Sequence, residues 1–270
     1  AEDGRRFAGD VLVGADGIRS AVRDLAGFDD SLVFSGEMAY RALIPGELVA
    51  ADPATRFLMD RYHSTIWYGP DKHLVHYVIR GGQYLNVVAI VPCSDTIERD
   101  WSGPATPEQL AADFADWDDR VPAVLSKAKP EDVSLWAMYR RRRDPVWIDG
   151  RVALLGDACH AMLPYQAQGA SQSMEDAAVL AEELGRVTRD GIDGALVRYV
   201  DRRAKHAGMV QDASLQNMAF YHLPDGPEQR ERDDKLRRFD GESDVSYDWL
   251  WNGSPLHDHD TESIHYQFAR

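Results

Sequence analysis

Cysteine is scarce in these 270 residues. There are two, Cys93 and Cys159, with no C-x-x-C spacing. That argues against a disulfide framework or a cysteine zinc site and suits a reducing compartment such as the cytoplasm. Positive charge is scarce too: 30 Lys and Arg stand against 45 Asp and Glu, for a net charge of -15. An acidic surface repels nucleic acid and anionic membranes, so neither is an expected partner. No apolar run approaches the length of a transmembrane helix. No internal repeat occurs. What remains is ordinary globular composition, 44% hydrophobic and 28% charged, with enough apolar residues for one large core or two smaller ones.

The chain starts at Ala1, without Met, and soon reaches "GDVLVGADGIRSAVRDL". This reads as a strand (Val11 to Val13), a tight turn (Gly14 to Gly17) and a helix start (Ser20 to Leu25). A strand of this parallel type expects earlier strands beside it, so an N-terminal part is expected to be missing. Residues 36–95 read as an antiparallel meander of "MAYRALIP", "TRFLMD", "STIWYGP", "HLVHYVIRGG" and "YLNVVAIVP", punctuated by Gly and Pro. "TPEQLAADFADW" then reads as a helix. Thr106 is its N-cap, Pro107 stands at N1, and Leu110, Phe114 and Trp117 lie on one face. "VSLWAMYRR" and "RVALLGDA" read as strands. A helix is expected from Gln172 to Arg189, with Met174, Ala177, Ala178, Ala181 and Leu184 on its apolar face and Glu175, Glu182 and Glu183 pointing elsewhere. Another helix is expected from Ala195 to Met218. After Pro224 the sequence turns polar and is expected to wrap the surface or be partly disordered.

Two stretches carry the chemistry. In "GRVALLGDACHAMLP" a strand ends in Gly156-Asp157. Parallel strands deliver such ends to the carboxyl edge of a sheet, where α/β folds bind ligands. Gly156 permits close approach, and Asp157 offers two acceptors to the hydroxyls of a ribose or ribityl chain. The loop "PYQAQGASQS" feeds a helix whose start, near Gly169 to Ser171, would present free N–H groups. The other stretch is D-G-x-x-S-x-x-R: Asp16, Gly17, Ser20 and Arg23.

Together, "VLVGADGIRSAVR" and "GRVALLGDACHAMLPYQAQGASQSMEDA" resemble the paired DG and GD motifs of the single-component FAD-dependent aromatic hydroxylases (group A flavoprotein monooxygenases). The salicylate hydroxylase-like branch, related to para-hydroxybenzoate hydroxylase, is nearest. The intervening "WYGPDKHLVHYVIRGGQYLNVVAIVP" is similar to that branch's substrate-domain sheet, and the resemblance covers about residues 9–220. It implies an α/β fold, the C-terminal part of a Rossmann-like FAD-binding domain around an antiparallel substrate sheet. The divisions are residues 1–35 (DG part), 36–135 (substrate domain), 136–222 (GD part and helices) and 223–270 (polar tail).

The resemblance implies that Gly156 and Asp157 hold the FAD ribityl chain. Gln168, Gly169, Ala170 and Ser171 would lie beside the isoalloxazine pyrimidine. Asp16, Gly17 and Arg23 are associated with both FAD and NADH or NADPH. Pro164 and Tyr165 would flank flavin and substrate. The implied reaction is hydroxylation of a phenolic or salicylate-like ring by NAD(P)H and O2 through a flavin C4a-hydroperoxide, with CO2 released if the carboxylated carbon is attacked.

Two departures stand out. No G-x-G-x-x-G occurs, so the pyrophosphate-binding unit, about 100 residues of βα structure, is expected from a missing segment or a second chain. Tyr165 stands where many relatives carry His. The rival readings are a related flavoprotein reductase or isoprenoid epoxidase, and a truncated, non-catalytic fragment.

Other stretches read as structural. In "YRRRRDP" alternation prevents four arginines from forming one patch, though one could lie near a nicotinamide nucleotide. "HDHD", His257 to Asp260, lies in the polar tail. His73 and His76 face opposite sides of their strand, and a satisfied structural role is expected for each of them and for His63. Arg41, Tyr77 and Asn86 are candidates for a substrate face.

Overall fold

The computed structural model describes residues 4–29, 32–60, 62–94, 102–143, 146–238 and 248–251. In chain order the strands are β1 (Leu12–Gly14), β2 (Leu32–Pro45), β3 (Ser64–Gly69), β4 (Lys72–Ile79), β5 (Tyr84–Pro92), β6 (Ser102–Pro104), β7 (Val133–Arg141), β8 (Ile148–Asp149) and β9 (Val152–Leu154). The helices are α1 (Ala21–Leu25), α2 (Gly46–Ala51), α3 (Pro107–Asp113), α4 (Arg120–Leu125), α5 (Asp157–His160), α6 (Gly169–Gly185), α7 (Ile192–Tyr221), α8 (Pro227–Arg237) and α9 (Asp248–Trp251). The fold is mixed α/β, as expected. Two compact units divide the chain. One comprises Ala1–Val33, Tyr139–Asn217 and Asp234–Arg270; the other comprises Phe34–Met138 and Met218–Asp233.

The first unit has a three-stranded sheet in the order β1-β9-β8. β1 and β9 are parallel, with Leu12 opposite Val152 and Gly14 opposite Leu154. Trp147, Leu154, Cys159, Val179, Leu180, Leu196 and Tyr199 form its core. The buried Tyr199 phenol donates to the Leu154 carbonyl at 2.9 Å, which ties α7 to β9. Helix α6 begins three residues before the expected Gln172 and ends four before Arg189. The expected apolar face is only partly inward: Leu184 packs on the core and Ala178 is half-buried. Gln172, Asp176, Val179, Leu180 and Glu183 are buried, whereas Met174 is 66% exposed and Ala177 and Ala181 also face out. Glu183 is buried because Arg198 and Arg202 pair with it at 2.7 Å each.

The second unit has a six-stranded sheet in the order β3-β4-β5-β2-β7-β6. β3, β4 and β5 form the expected antiparallel meander. Alternation sends Ile44, Leu74, Leu85, Val87 and Ala89 to one side, where they join Leu110, Phe114, Val121 and Leu125 of the α3–α4 region in a single core. Each of the larger side chains contributes about 1.5–3 kcal/mol. The helix start is as the sequence indicates. Thr106 accepts from the Gln109 N–H, and the Gln109 side chain accepts from the Thr106 N–H.

One expectation is corrected here. "TRFLMD" is no strand; Arg56–Met59 is a 3-10 turn. The cause lies just before it. The Asp52 carboxylate accepts the Ala54 N–H, its carbonyl accepts the Thr55 and Arg56 N–H groups, and the Thr55 hydroxyl donates to the Val49 carbonyl. The polar stretch after Pro224 contains a helix, α8, whose Arg232 is buried and donates to the Phe220 carbonyl. "HDHD" lies outside the described residues.

His73 and His76 do face opposite ways, and both are buried. His73 Nδ1 lies 2.7 Å from His222 Nε2, and His222 Nδ1 lies 3.1 Å from Glu37 Oε1. His76 differs from expectation, since neither ring nitrogen has a hydrogen-bond partner among the described residues. Burial, then His222, lowers the His73 pKa to about 3. Burial, then His63, lowers that of His76 to about 4. Burial, then Arg203, lowers that of His206 to about 4. All lie below the free value of 6.5, so the unfolded chain binds more protons in this window. Stability is therefore complete above about pH 6.5 and drains as the pH falls through these values. Thermal melts at about pH 7.5 and about pH 5 are expected to show this loss. His76→Leu removes an unpartnered buried polar group. It is expected to stabilise the protein by about 1 kcal/mol at neutral pH and to flatten the acid slope. A variant that melts lower and keeps the full slope contradicts this.

Candidate functional site

The β1–β9 register brings two distant turns to one sheet edge. Gly14 sits opposite Leu154, and the Leu155 N–H donates to the Gly14 carbonyl at 2.9 Å. The chain therefore leaves the sheet side by side at Asp16–Gly17 and at Gly156–Asp157.

Asp16 closes the first turn. Its Oδ2 accepts the Val22 N–H at 3.1 Å, while Ser20 caps α1 by accepting the Arg23 N–H at 3.0 Å. Burial alone would raise the Asp16 pKa; the bonds from Ser20 and Val22 outweigh it and leave the pKa lowered. Gly17 has φ +81°, which a side chain would strain. Arg23 is only 1% exposed. Its Nε and one terminal nitrogen donate to the Asp29 carbonyl at 3.1 and 2.7 Å, and the other reaches the Ala158 carbonyl at 3.4 Å. The DG arginine thus binds the neighbouring turn with its head group instead of projecting into solvent.

Arg141 makes the reciprocal tie. It is also 1% exposed. It donates to the Ile18 carbonyl at 2.7 Å and to the Asp157 carbonyl at 3.4 Å. This member of "YRRRRDP" bonds to both turns. Arg143 pairs with Asp212 at 3.1 Å at the surface. Strand alternation separates Arg140 from Arg141, while Arg142 and Arg143 lie beyond the end of β7; nothing in the sequence singled out Arg141.

Gly156 has φ 63° and ψ -138°, and a β-carbon there would meet Ser173 Oγ at 2.5 Å. Only glycine fits. Asp157, next to it, is exposed, yet the recess around its carboxyl is crowded: burial raises its pKa, against the pull of His160 and Arg141. No hydrogen-bond or ion-pair partner for this carboxylate is found among the described residues. A β-carbon on Gly169 would lie 3.9 Å from Asp157 Oδ1, so the carboxylate borders the start of α6. That start has no side-chain cap, which leaves the N–H groups of Gly169, Ala170 and Ser171 open. Gln168 precedes it as N-cap residue.

The loop before α6 carries Pro164 exposed and Tyr165 buried, the Tyr165 carbonyl accepting from Asn217 at 3.2 Å. The residue with positive φ in this loop is Ala167, at +53°. Gly169, the glycine nearest in sequence, is simply the first residue of the helix.

An acceptor-only carboxylate beside a row of free donors can hold a polyol chain attached to a ring that bears carbonyl oxygens. The ribityl chain and pyrimidine edge of FAD meet both requirements. No residue arrangement of the kind that cradles a pyrophosphate, with G-x-G-x-x-G, occurs in the sequence.

In the second unit, Arg41, Tyr77 and Asn86 share one face of the sheet. Asn86 pairs with Leu43 on one side and with Tyr77 on the other, and Arg41 lies two residues from Leu43. This face is opposite the core. Asn86 is 8% exposed, and its Nδ2 has no partner among the described residues.

Comparison with known proteins fits the first unit's geometry. The FAD-dependent monooxygenase atnJ of Arthrinium sp is 35% identical, over 93% of this chain and 62% of its own. Salicylate hydroxylase of Pseudomonas putida is 34% identical, over 96% and 61%. The structure of a salicylate hydroxylase substrate complex superposes with a TM-score of 0.78 at 31% identity, covering 94% of this chain and 64% of that one. The chain spans less than two thirds of the length of these proteins. A family model described as FAD binding domain matches residues 1–214, which include both turns, Arg23, Arg141 and the start of α6. The chain belongs to that family.

Proposed function

We propose that this chain provides the ribityl and isoalloxazine side of the FAD site in an NAD(P)H-using monooxygenase that hydroxylates a small phenolic or salicylate-like ring. The unpaired Asp157 carboxylate at the uncapped start of α6 carries this reading. Asp157 would accept hydrogen bonds from ribityl hydroxyls. The N–H groups of Gly169, Ala170 and Ser171, with the positive end of α6, would stabilise negative charge on the pyrimidine. Asp16, Gly17 and Arg23 would support the cofactor through the turn they build. Pro164 and Tyr165 would flank the reacting ring. Bound FAD would supply the redox chemistry that links NAD(P)H, O2 and the ring.

The net change is balanced: ring C–H, O2, NAD(P)H and one proton give ring C–OH, water and NAD(P)+. The protein's part is to orient the ring and exclude water. Arg41, Tyr77 and Asn86 on one sheet face support a ring that bears an anionic or carbonyl oxygen. They favour it over an isoprenoid, which offers such groups nothing to bind.

Three outcomes follow. The 270-residue chain alone is expected to bind FAD weakly, because the pyrophosphate contacts come from outside it; equilibrium dialysis showing submicromolar affinity contradicts this. In the FAD-loaded holoenzyme, Asp157→Ala is expected to cost about 1.5–3 kcal/mol of cofactor affinity with little change in melting. Full flavin occupancy with early melting would make Asp157 structural. NAD(P)H oxidation by the holoenzyme is expected to quicken at least about tenfold with a suitable hydroxybenzoate, about 1.4 kcal/mol in barrier, and to yield a hydroxylated product. Equal rates with and without every aromatic tested, and no oxygenated product, would replace the hydroxylase reading with a reductase.

A further inference from the structure

We propose that Asp176 is a positioning residue for the flavin, holding the Gly156–Asp157 turn in the one conformation that presents Asp157 to the ribityl chain. This rests on the reading of Asp157 given above.

The clue is the polar buried face of α6. A helix needed only for packing would bury Met174, Ala177 and Ala181. This one buries Gln172 and Asp176 completely and leaves Met174 out. A buried carboxylate is costly unless every oxygen is paired. Here every oxygen is. Asp176 Oδ2 accepts the Gly156 N–H at 3.0 Å and lies 2.6 Å from His160 Nε2, while Oδ1 accepts Arg203 Nε at 2.8 Å. Gly156 precedes α5 and His160 ends it, so one carboxylate grips both ends of the short helix that begins with Asp157.

Arg203 is itself fixed. It donates to Gln172 Oε1 at 2.7 Å and pairs with Glu175 Oε2 at 2.7 Å. Burial alone would raise the Asp176 pKa; His160 and Arg203 outweigh it and keep the group ionised. Because Gly156 has dihedrals open only to glycine, it has no side chain to brace the turn, and the bond to its N–H does so instead.

A metal role for Cys159, His160 and Asp176, whose ligand atoms cluster within 4.8 Å, fits less well. Both Asp176 oxygens are already paired. The Cys159 thiol donates to the Gly156 carbonyl at 3.3 Å, and burial pushes its pKa up, against the thiolate a metal needs.

Asn cannot replace Asp176 faithfully. Its NH2 would face either the Gly156 and His160 donors or the Arg203 donor. The test is a double-mutant cycle in the holoenzyme, reading the FAD dissociation constant by flavin fluorescence quenching and the apoprotein's melting separately. Asp176→Asn is expected to weaken FAD about tenfold when Asp157 is present and less than about twofold in the Asp157→Ala background. Equal losses in both backgrounds overturn this inference alone, since they mark a general loss of structure. Full affinity in Asp157→Ala overturns the Asp157 reading, and this inference with it. If Asp176→Asn does not fold, His160→Phe decides. It leaves the Gly156 and Arg203 bonds in place and is expected to show the same dependence on Asp157 with about a threefold loss; a loss independent of Asp157 overturns the proposal.

Discussion

Two buried guanidinium groups hold the site together. Arg23 reaches from the DG turn to the Ala158 carbonyl, and Arg141 reaches from the end of β7 to the Ile18 and Asp157 carbonyls. The strands between these turns cannot fix them alone, because β1 and β9 share only three paired positions. Burying a guanidinium is costly unless its donors find acceptors. Here turn carbonyls are those acceptors, at positions that regular sheet or helix bonding leaves open. Arg141 spans both turns, and Arg23, anchored on the Asp29 carbonyl, adds a longer bond to Ala158 when the two turns lie side by side. That condition sets Asp157 against the start of α6.

The same economy explains why polar residues lie inside the first unit. α6 turns Gln172, Asp176 and Glu183 inward and lets Met174 face out. Arg203, Arg198 and Arg202 from α7 complete the pairings. Leucines at these positions would pack more cheaply but could not grip a backbone N–H. The second unit is different. Its core is mainly apolar, with His76 and Thr55 as buried polar members, and Arg41, Tyr77 and Asn86 sit on the opposite sheet face.

Some of this was legible in the sequence. Thr106, Pro107 and Gln109 announce the start of α3 because capping is local chemistry. The DG and GD turns were legible as turns for a similar reason, since glycine and aspartate are turn residues, and as a pair only through their family resemblance. The faces of α6 were not legible. Apolar periodicity pointed to Met174, Ala177 and Ala181, and the deciding partners lie on α7, remote in sequence. α8 has Pro227, Glu228, Lys235 and Arg237 in places that suit a helix, yet without an apolar stripe its sequence signals only a polar surface segment. The turn at Arg56–Met59 has strand-like residues, overruled by Asp52 and Thr55 hydrogen-bonding just upstream. The left-handed residue of the loop before α6 is Ala167, a position that carries no signal of its own.

The central claim is that the joined DG and GD turns form the flavin-facing half of a cofactor site. Mapping backbone amide shifts in the isotope-labelled chain, with FMN and with ADP added in separate titrations, tests it most directly. FMN carries the ribityl chain and the isoalloxazine; ADP carries only the other end of FAD. Saturable FMN shifts are expected to concentrate at Gly17, Gly156, Asp157 and Gly169 to Ser171, with ADP leaving those amides in place. Shifts of equal size with ADP, or FMN shifts that avoid the α6 start, would contradict it.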